Sequence, residues 1–154
     1  MDLLTLVVLC APLVDSGTTL RVIAAESAGD PYAIHDNSDG ATYRAGNPKS
    51  AVAIATLLIR ERHRIDLGLM QINYDVWLEP AHFSLERAFD PCTNIRLGST
   101  VLSANYAHAL PRSSSSQEAL YRALSAYNSG SEVLSWGYAR NVLKPRGAGR
   151  RQRP

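Results

Sequence analysis

Glu26 is the residue of this sequence best placed to move a proton. It follows four apolar residues, Val22 to Ala25, and lies one helical turn beyond Val22, at the edge of an apolar helix face. A carboxyl there loses hydration, which raises its pKa toward neutrality and lets it deliver a proton. The same position also suits an ordinary solvated glutamate. A second group, Gly68-Leu69-Met70-Gln71-Ile72-Asn73, joins a permissive glycine, a flexible apolar side chain and two amides. Such a loop fits a sugar, with amides for hydroxyl and acetamido groups and apolar surface for ring faces. It equally fits a stitch between two helices. A third group is Ala126-Tyr127-Asn128-Ser129-Gly130, with Tyr138 soon after. Tyr127 shares a helical stripe with Leu120 and Leu124 and reads on its own as a core aromatic. Asn128 and Gly130 read on their own as a helix stop.

The elements that must hold these groups are mostly helical. Asp15, Ser16 and Thr18 offer capping oxygens ahead of Leu20–Ala28, and Gly29 with Pro31 ends that helix. Tyr32 to Arg44, with Asp39-Gly40 as its turn, predicts one small β-hairpin. Pro48 and Ser50 open an apolar helix from Ala51 to about Arg62 that has little polar face and is expected to be central. Asp66 to Asn73 is expected to be a loop or extended turn, followed by short helical pieces at Val76–Trp77 and Leu85–Ala88. Asp90-Pro91 starts a long helix to about Ala109, with Ile95, Gly98, Leu102, Tyr106 and Ala109 on one stripe. Pro111 and Ser113–Ser116 separate it from the helix bearing Leu120, Ala123, Leu124 and Tyr127. A last helix, Tyr138–Leu143, follows. The fold class is mostly α (α+β), a single helical domain over residues 1–143 with one small hairpin, then a basic tail at 144–154.

Composition narrows the function. At 154 residues, 45% hydrophobic and 19% charged, the chain suits one globular domain with a core. The longest apolar stretch, Leu3 to Val14, is too short to span a membrane. Five basic residues and no acidic one fall in 144–154, so residues 1–143 carry 11 basic against 14 acidic residues. The basicity belongs to a tail expected to be a solvated terminus, and no specific nucleic-acid partner is expected. The four histidines lack zinc-ligand spacing, so no metal and no cofactor are expected. His35, Asp36, Arg60, Glu61, Arg62, His63 and Arg64 are expected to form a solvated face. Cys10 and Cys92 are either buried thiols or one long-range disulfide, the latter requiring an oxidising compartment. With Asp2 ahead of it and no Lys or Arg before Arg21, Leu3–Val14 is expected to be the first helix of the domain rather than an export signal.

Taken together, Glu26-Ser27, Gly68–Asn73, Ala126–Gly130 and Tyr138, in this order, resemble the motif set of lytic transglycosylases with a goose-lysozyme-like domain. Cys10-Ala11-Pro12, Pro31-Tyr32-Ala33-Ile34, Asp66–Asn73 and Phe89-Asp90-Pro91-Cys92-Thr93-Asn94 narrow the resemblance to the subgroup associated with type IV secretion and conjugation. The resemblance covers about residues 8 to 143. It implies a lysozyme-like fold that cleaves the β-1,4 bond between N-acetylmuramic acid and N-acetylglucosamine in peptidoglycan, in the periplasm, with secretion-machine proteins as further partners. By the same resemblance Glu26 is the catalytic acid and Ser27 its polar neighbour. Leu69, Met70 and Gln71 border the cleft, with Asn73 closing that motif. Tyr127 and Asn128 line the sugar site, Tyr138 bonds the catalytic carboxyl, and Cys10 pairs with Cys92.

Ordinary glycosidases need two carboxylates, and no second acid stands out beside these motifs. Asp66 precedes the glycine loop, in a position that family members carry without using it as a nucleophile. A single-acid mechanism is therefore the economical expectation, yielding a 1,6-anhydro sugar. The alternatives are a hydrolytic muramidase of the same fold and a non-catalytic glycan-binding assembly subunit.

Overall fold

The computed structural model describes residues 1–144, and the expected basic tail from residue 145 onward lies outside the described residues. Helix α1, Leu3–Cys10, is capped by Asp2, whose carboxylate accepts from the Thr5 amide at 3.0 Å. Helix α2, Ser16–Glu26, is capped in the same way by Asp15, at 2.8 Å from the Thr18 amide. Charged caps satisfy otherwise orphaned amides and suit the positive end of the helix dipole. Helix α2 ends at Glu26, where Ser27 donates its hydroxyl to the Leu69 carbonyl at 2.9 Å. The end of α2 is thereby tied to the glycine loop.

The single hairpin expected from the sequence is half of a four-stranded antiparallel sheet. Strands β1 (Ala33–Asp36) and β2 (Thr42–Arg44) form that hairpin, and β3 (Ile65–Leu67) and β4 (Ile72–Asn73) extend it in the order β2-β1-β3-β4. In β3, Ile65 and Leu67 are buried while Asp66 turns the other way. Strands of three and two residues are too short for a period of 2 to register in a sequence, so the segment reads as loop. Helix α3, Pro48–Arg60, is also not central. Only Ala51, Ala55 and Leu58 are buried, and Leu57 is 55% exposed. Its apolar content exceeds what its single inward stripe uses.

Helix α4 (Leu85–Ala88) leads into α5, Pro91–Ala109, capped by Asp90. Along α5, Ile95, Gly98, Leu102 and Ala109 are buried as their spacing predicts. Helix α6, Ser116–Ser129, packs along α5, and α7, Trp136–Leu143, packs on α2 and α6. Val7, Val22, Ile23, Leu67, Met70, Phe89, Ile95, Leu102 and Leu124 belong to one core. A Cys10–Cys92 disulfide joins α1 to the start of α5 across 82 positions. Between sheet and α3, the expected solvated face gives way at one point. Asp36 is fully buried, and the His63 ring on one carboxylate oxygen and the Ser38 amide on the other, at 2.8 Å, replace the water a carboxylate needs.

Candidate active site

A cleft of about 680 Å³ runs between sheet and helices, lined by Glu26, by Asn37, Arg64, Asp66, Gln71 and Asn73 of the sheet side, and by Tyr127, Asn128 and Asn105 of the helices. Glu26 reaches it from the last position of α2 and accepts a hydrogen bond from the Tyr138 hydroxyl of α7. Burial pushes the Glu26 carboxyl up to about 7; the Tyr138 bond opposes this and the nearby Asp66 charge adds to it. A carboxyl poised there can serve as acid and then as base. Burial, together with the Glu26 charge, pushes the Tyr138 hydroxyl up, so it stays a donor.

The glycine loop is built for close approach rather than for display. At Gly68 φ is +78°, and a Cβ there would lie 2.4 Å from the Asn94 side-chain nitrogen. Asn94 itself is buried. It accepts from the Met70 amide at 2.8 Å and donates to the Leu67 and Ala88 carbonyls, each at 2.9 Å. A neutral side chain with both donors and acceptor satisfied replaces a strand ladder across the turn. Gln71 adopts φ +48° and donates to the carbonyls of Gly68 at 2.8 Å and Ala33 at 3.2 Å. Its amide oxygen has no partner among the described residues.

Of the residues singled out from sequence, Glu26, Gln71, Asn73, Tyr127 and Asn128 line the cleft and Tyr138 contacts Glu26. Ser27, Leu69 and Met70 do not line it. They are 2%, 2% and 0% exposed, so direct sugar contact through their side chains gives way to a supporting role one layer back. The Met70 carbonyl accepts from the Tyr127 hydroxyl at 2.7 Å, which fixes the Tyr127 ring against the cleft. Asn128 is exposed and makes no side-chain bond among the described residues, leaving its whole amide for a ligand. Asn73 is committed at both ends, donating to Asp66 at 2.7 Å and accepting from the Val76 amide at 3.0 Å.

Sequence reasoning missed Asn37, Asp75, Trp77 and Asn105 as lining residues, and undervalued Asp66. Both Asp66 oxygens are held by amides, Asn37 at 2.8 Å and Asn73 at 2.7 Å, while burial pushes the carboxyl up. The polar position of Asp66 between Ile65 and Leu67 was the signal available for it. Asn37 and Asn105 carried none, because only the tertiary fold brings them near Glu26. Asp36, Asp39 and His63 form a further cluster with ligand atoms within 4.8 Å of one another, and none of the three lines this cleft.

The model of the transglycosylase SLT domain matches residues 9–142, nearly the whole described chain. The chain belongs to the transglycosylase SLT domain family. This SLT domain is 34% identical over 140 residues to Protein virB1 of Agrobacterium fabrum, covering 86% of the chain and 54% of that relative. It is 31% identical over 124 residues to the type IV secretion system protein virB1 of Brucella abortus, covering 79% of the chain and 51% of that relative. The domain thus spans about half the length of the curated relatives it matches. No solved structure matches it. Among the described residues, no helix is long and apolar enough to cross a membrane.

Proposed function

We propose that this SLT domain is a peptidoglycan lytic transglycosylase that cleaves the MurNAc-β-1,4-GlcNAc bond and leaves a 1,6-anhydro-MurNAc end. The observation that carries the reading is the Glu26 carboxyl, pushed up to about 7 in the cleft and steered by Tyr138. Protonated Glu26 gives its proton to the glycosidic oxygen as the C1–O bond breaks. The N-acetyl carbonyl of the muramic sugar shares the developing positive charge at C1. Glu26, now a carboxylate, takes the proton of the same sugar's 6-hydroxyl, and that oxygen closes on C1. One proton leaves and returns, and no water is consumed. The attacking hydroxyl is already part of the bound sugar, and intramolecular reactions of good alignment reach effective molarities of about 10⁵ M or more.

Asp66 is the observation that favours a hydrolytic muramidase as second reading, because it places another acid in the cleft. Its two oxygens are already occupied by Asn37 and Asn73, which suits a fixed charge better than a nucleophile. Mass spectrometry of the muropeptides released from sacculi decides between them: ring-closed products are one water lighter than hydrolytic ones. A Glu26→Gln chain that still supports its biological role without wall cleavage would instead favour a glycan-binding assembly subunit. Similarity to virB1 proteins, one of them named for a type IV secretion system, supports a role in opening the wall locally for such an apparatus. The Cys10–Cys92 disulfide suits the oxidising periplasm where that wall lies.

A further inference from the structure

Next to the cleft amides stands an indole that the core does not use. Trp77 belongs to the π-helical turn Tyr74–Leu78, lines the cleft and is 48% exposed. Its neighbour Val76, 59% exposed, lines the cleft beside it. The other tryptophan of the chain is employed differently. Trp136 packs on Tyr121 with ring centroids 6.0 Å apart, and its indole N–H donates to the Glu132 carbonyl at 2.9 Å. Among the described residues Trp77 has neither an aromatic partner nor an acceptor for its N–H, and it is not among the side chains packed on the core. Half-buried tryptophans normally satisfy both ends, the apolar face and the N–H. Among the described residues neither end of Trp77 is satisfied, and the residue stands on the cleft wall.

The turn that carries Trp77 is fixed from below. Asn73 caps it by accepting from the Val76 amide at 3.0 Å, and the same side chain donates to Asp66 at 2.7 Å. One amide therefore couples the placement of the indole to that of the half-buried Asp66 carboxylate. Single π-helical turns are frequent at functional sites. Tyr127, the other aromatic residue lining the cleft, has its hydroxyl committed to the Met70 carbonyl, and the remaining titratable and amide groups suit polar substituents rather than the apolar face of a pyranose.

The geometry points to Trp77 as a stacking platform for one N-acetylhexosamine ring of the glycan strand, with its N–H free to donate to a hydroxyl or acetamido oxygen of that sugar. This deepens the glycan-cleaving reading and rests on it. A β-linked hexosamine carries its C–H groups on the ring faces, and these weakly positive hydrogens match the negative face of an indole. The platform holds the strand as a whole and touches no reacting atom. Its contribution is equal in ground and transition states, which moves KM and not kcat.

Two measurements test this. Soluble, uncross-linked glycan strands are titrated into Glu26→Gln protein while tryptophan emission is followed, and the same is done with Glu26→Gln, Trp77→Phe protein. The expected result is a saturable blue shift in the first protein that is absent from the second. A shift that persists without Trp77, or no shift in a protein that titration calorimetry shows to bind the strands, overturns the platform. In the otherwise native chain, Trp77→Phe is expected to raise KM for soluble strands about tenfold with kcat unchanged. An unchanged KM overturns the proposal while leaving the proposed function standing. A parent protein that releases no glycan at all overturns the proposed function instead.

Discussion

Two opposing influences meet at Glu26, and their balance sets its working range. Burial favours the neutral acid, while the Tyr138 hydroxyl favours the carboxylate. Removing that hydroxyl in Tyr138→Phe leaves burial less opposed, so the Glu26 pKa rises. The alkaline limb of the pH–rate profile then moves up by about one pH unit, and kcat falls because the carboxyl is no longer oriented. Glu26→Gln removes the proton donor and is expected to lower glycan release about 10³-fold. The same variant has a stability signature. The folded chain holds the Glu26 proton between the ordinary 4.5 and about 7, where the unfolded chain has lost it. The associated stability is complete below the ordinary value and disappears as pH rises through about 7. Glutamine does not titrate, so between pH 5 and pH 8 Glu26→Gln should gain about 2 kcal/mol on the parent, allowing for partial solvent access. Urea unfolding at the two pH values measures it.

Among the elements, the contact between α5 and the glycine loop is the tightest that the cleft depends on. A Cβ on Gly98 would lie 2.6 Å from the Met70 sulfur and 2.7 Å from its Cβ. Met70 is fully buried and its carbonyl holds Tyr127, so it has nowhere to retreat without moving the cleft wall. Gly98→Ala is therefore expected to destabilise by about 1–3 kcal/mol despite alanine's better helix propensity. A Met70→Ala background removes the contacts with the sulfur and the terminal methyl but keeps the 2.7 Å approach to the Cβ, so the same change should cost less there without becoming free, a coupling that thermal melts of the four proteins would reveal. This contact also shows what sequence conveys and what it does not. Gly98 was legible as part of a helical stripe with Ile95 and Leu102, and Glu26 as a carboxyl at the edge of an apolar face. That Gly98 exists to admit Met70 is a fact of two segments 28 positions apart, which no local period contains. Met70, Leu69 and Ser27 read as cleft residues because the motif includes them, yet burial puts them behind it. The Asp36–His63 pair looked like part of a charged surface for the same reason: only folding decides which charge loses its water.

For the molecule as a whole, the question is how α1 stays attached. Val7 and Cys10 are its buried residues and Leu3 and Leu6 pack half-buried on the core, while Leu4, Val8 and Leu9 remain more than half exposed. So small an apolar footprint offsets little of the entropy of ordering eight residues. The Cys10–Cys92 bond supplies the remainder by closing a span of 82 positions, which in the chain-entropy account restricts the unfolded state by about 4 kcal/mol. The cleft groups Glu26, Asp66, Tyr127 and Tyr138 sit on α2, β3, α6 and α7, none of them an element that the bond joins. Replacing both cysteines by serine should therefore lower Tm by roughly 8–16 °C while leaving kcat at 25 °C near the parent value. Hydrogen exchange on the same variant should show α1 opening before α5 and α6, since the helix loses its covalent anchor and they do not. If kcat fell with Tm unchanged, α1 would have to shape the cleft itself, and stability would not be what the bond provides.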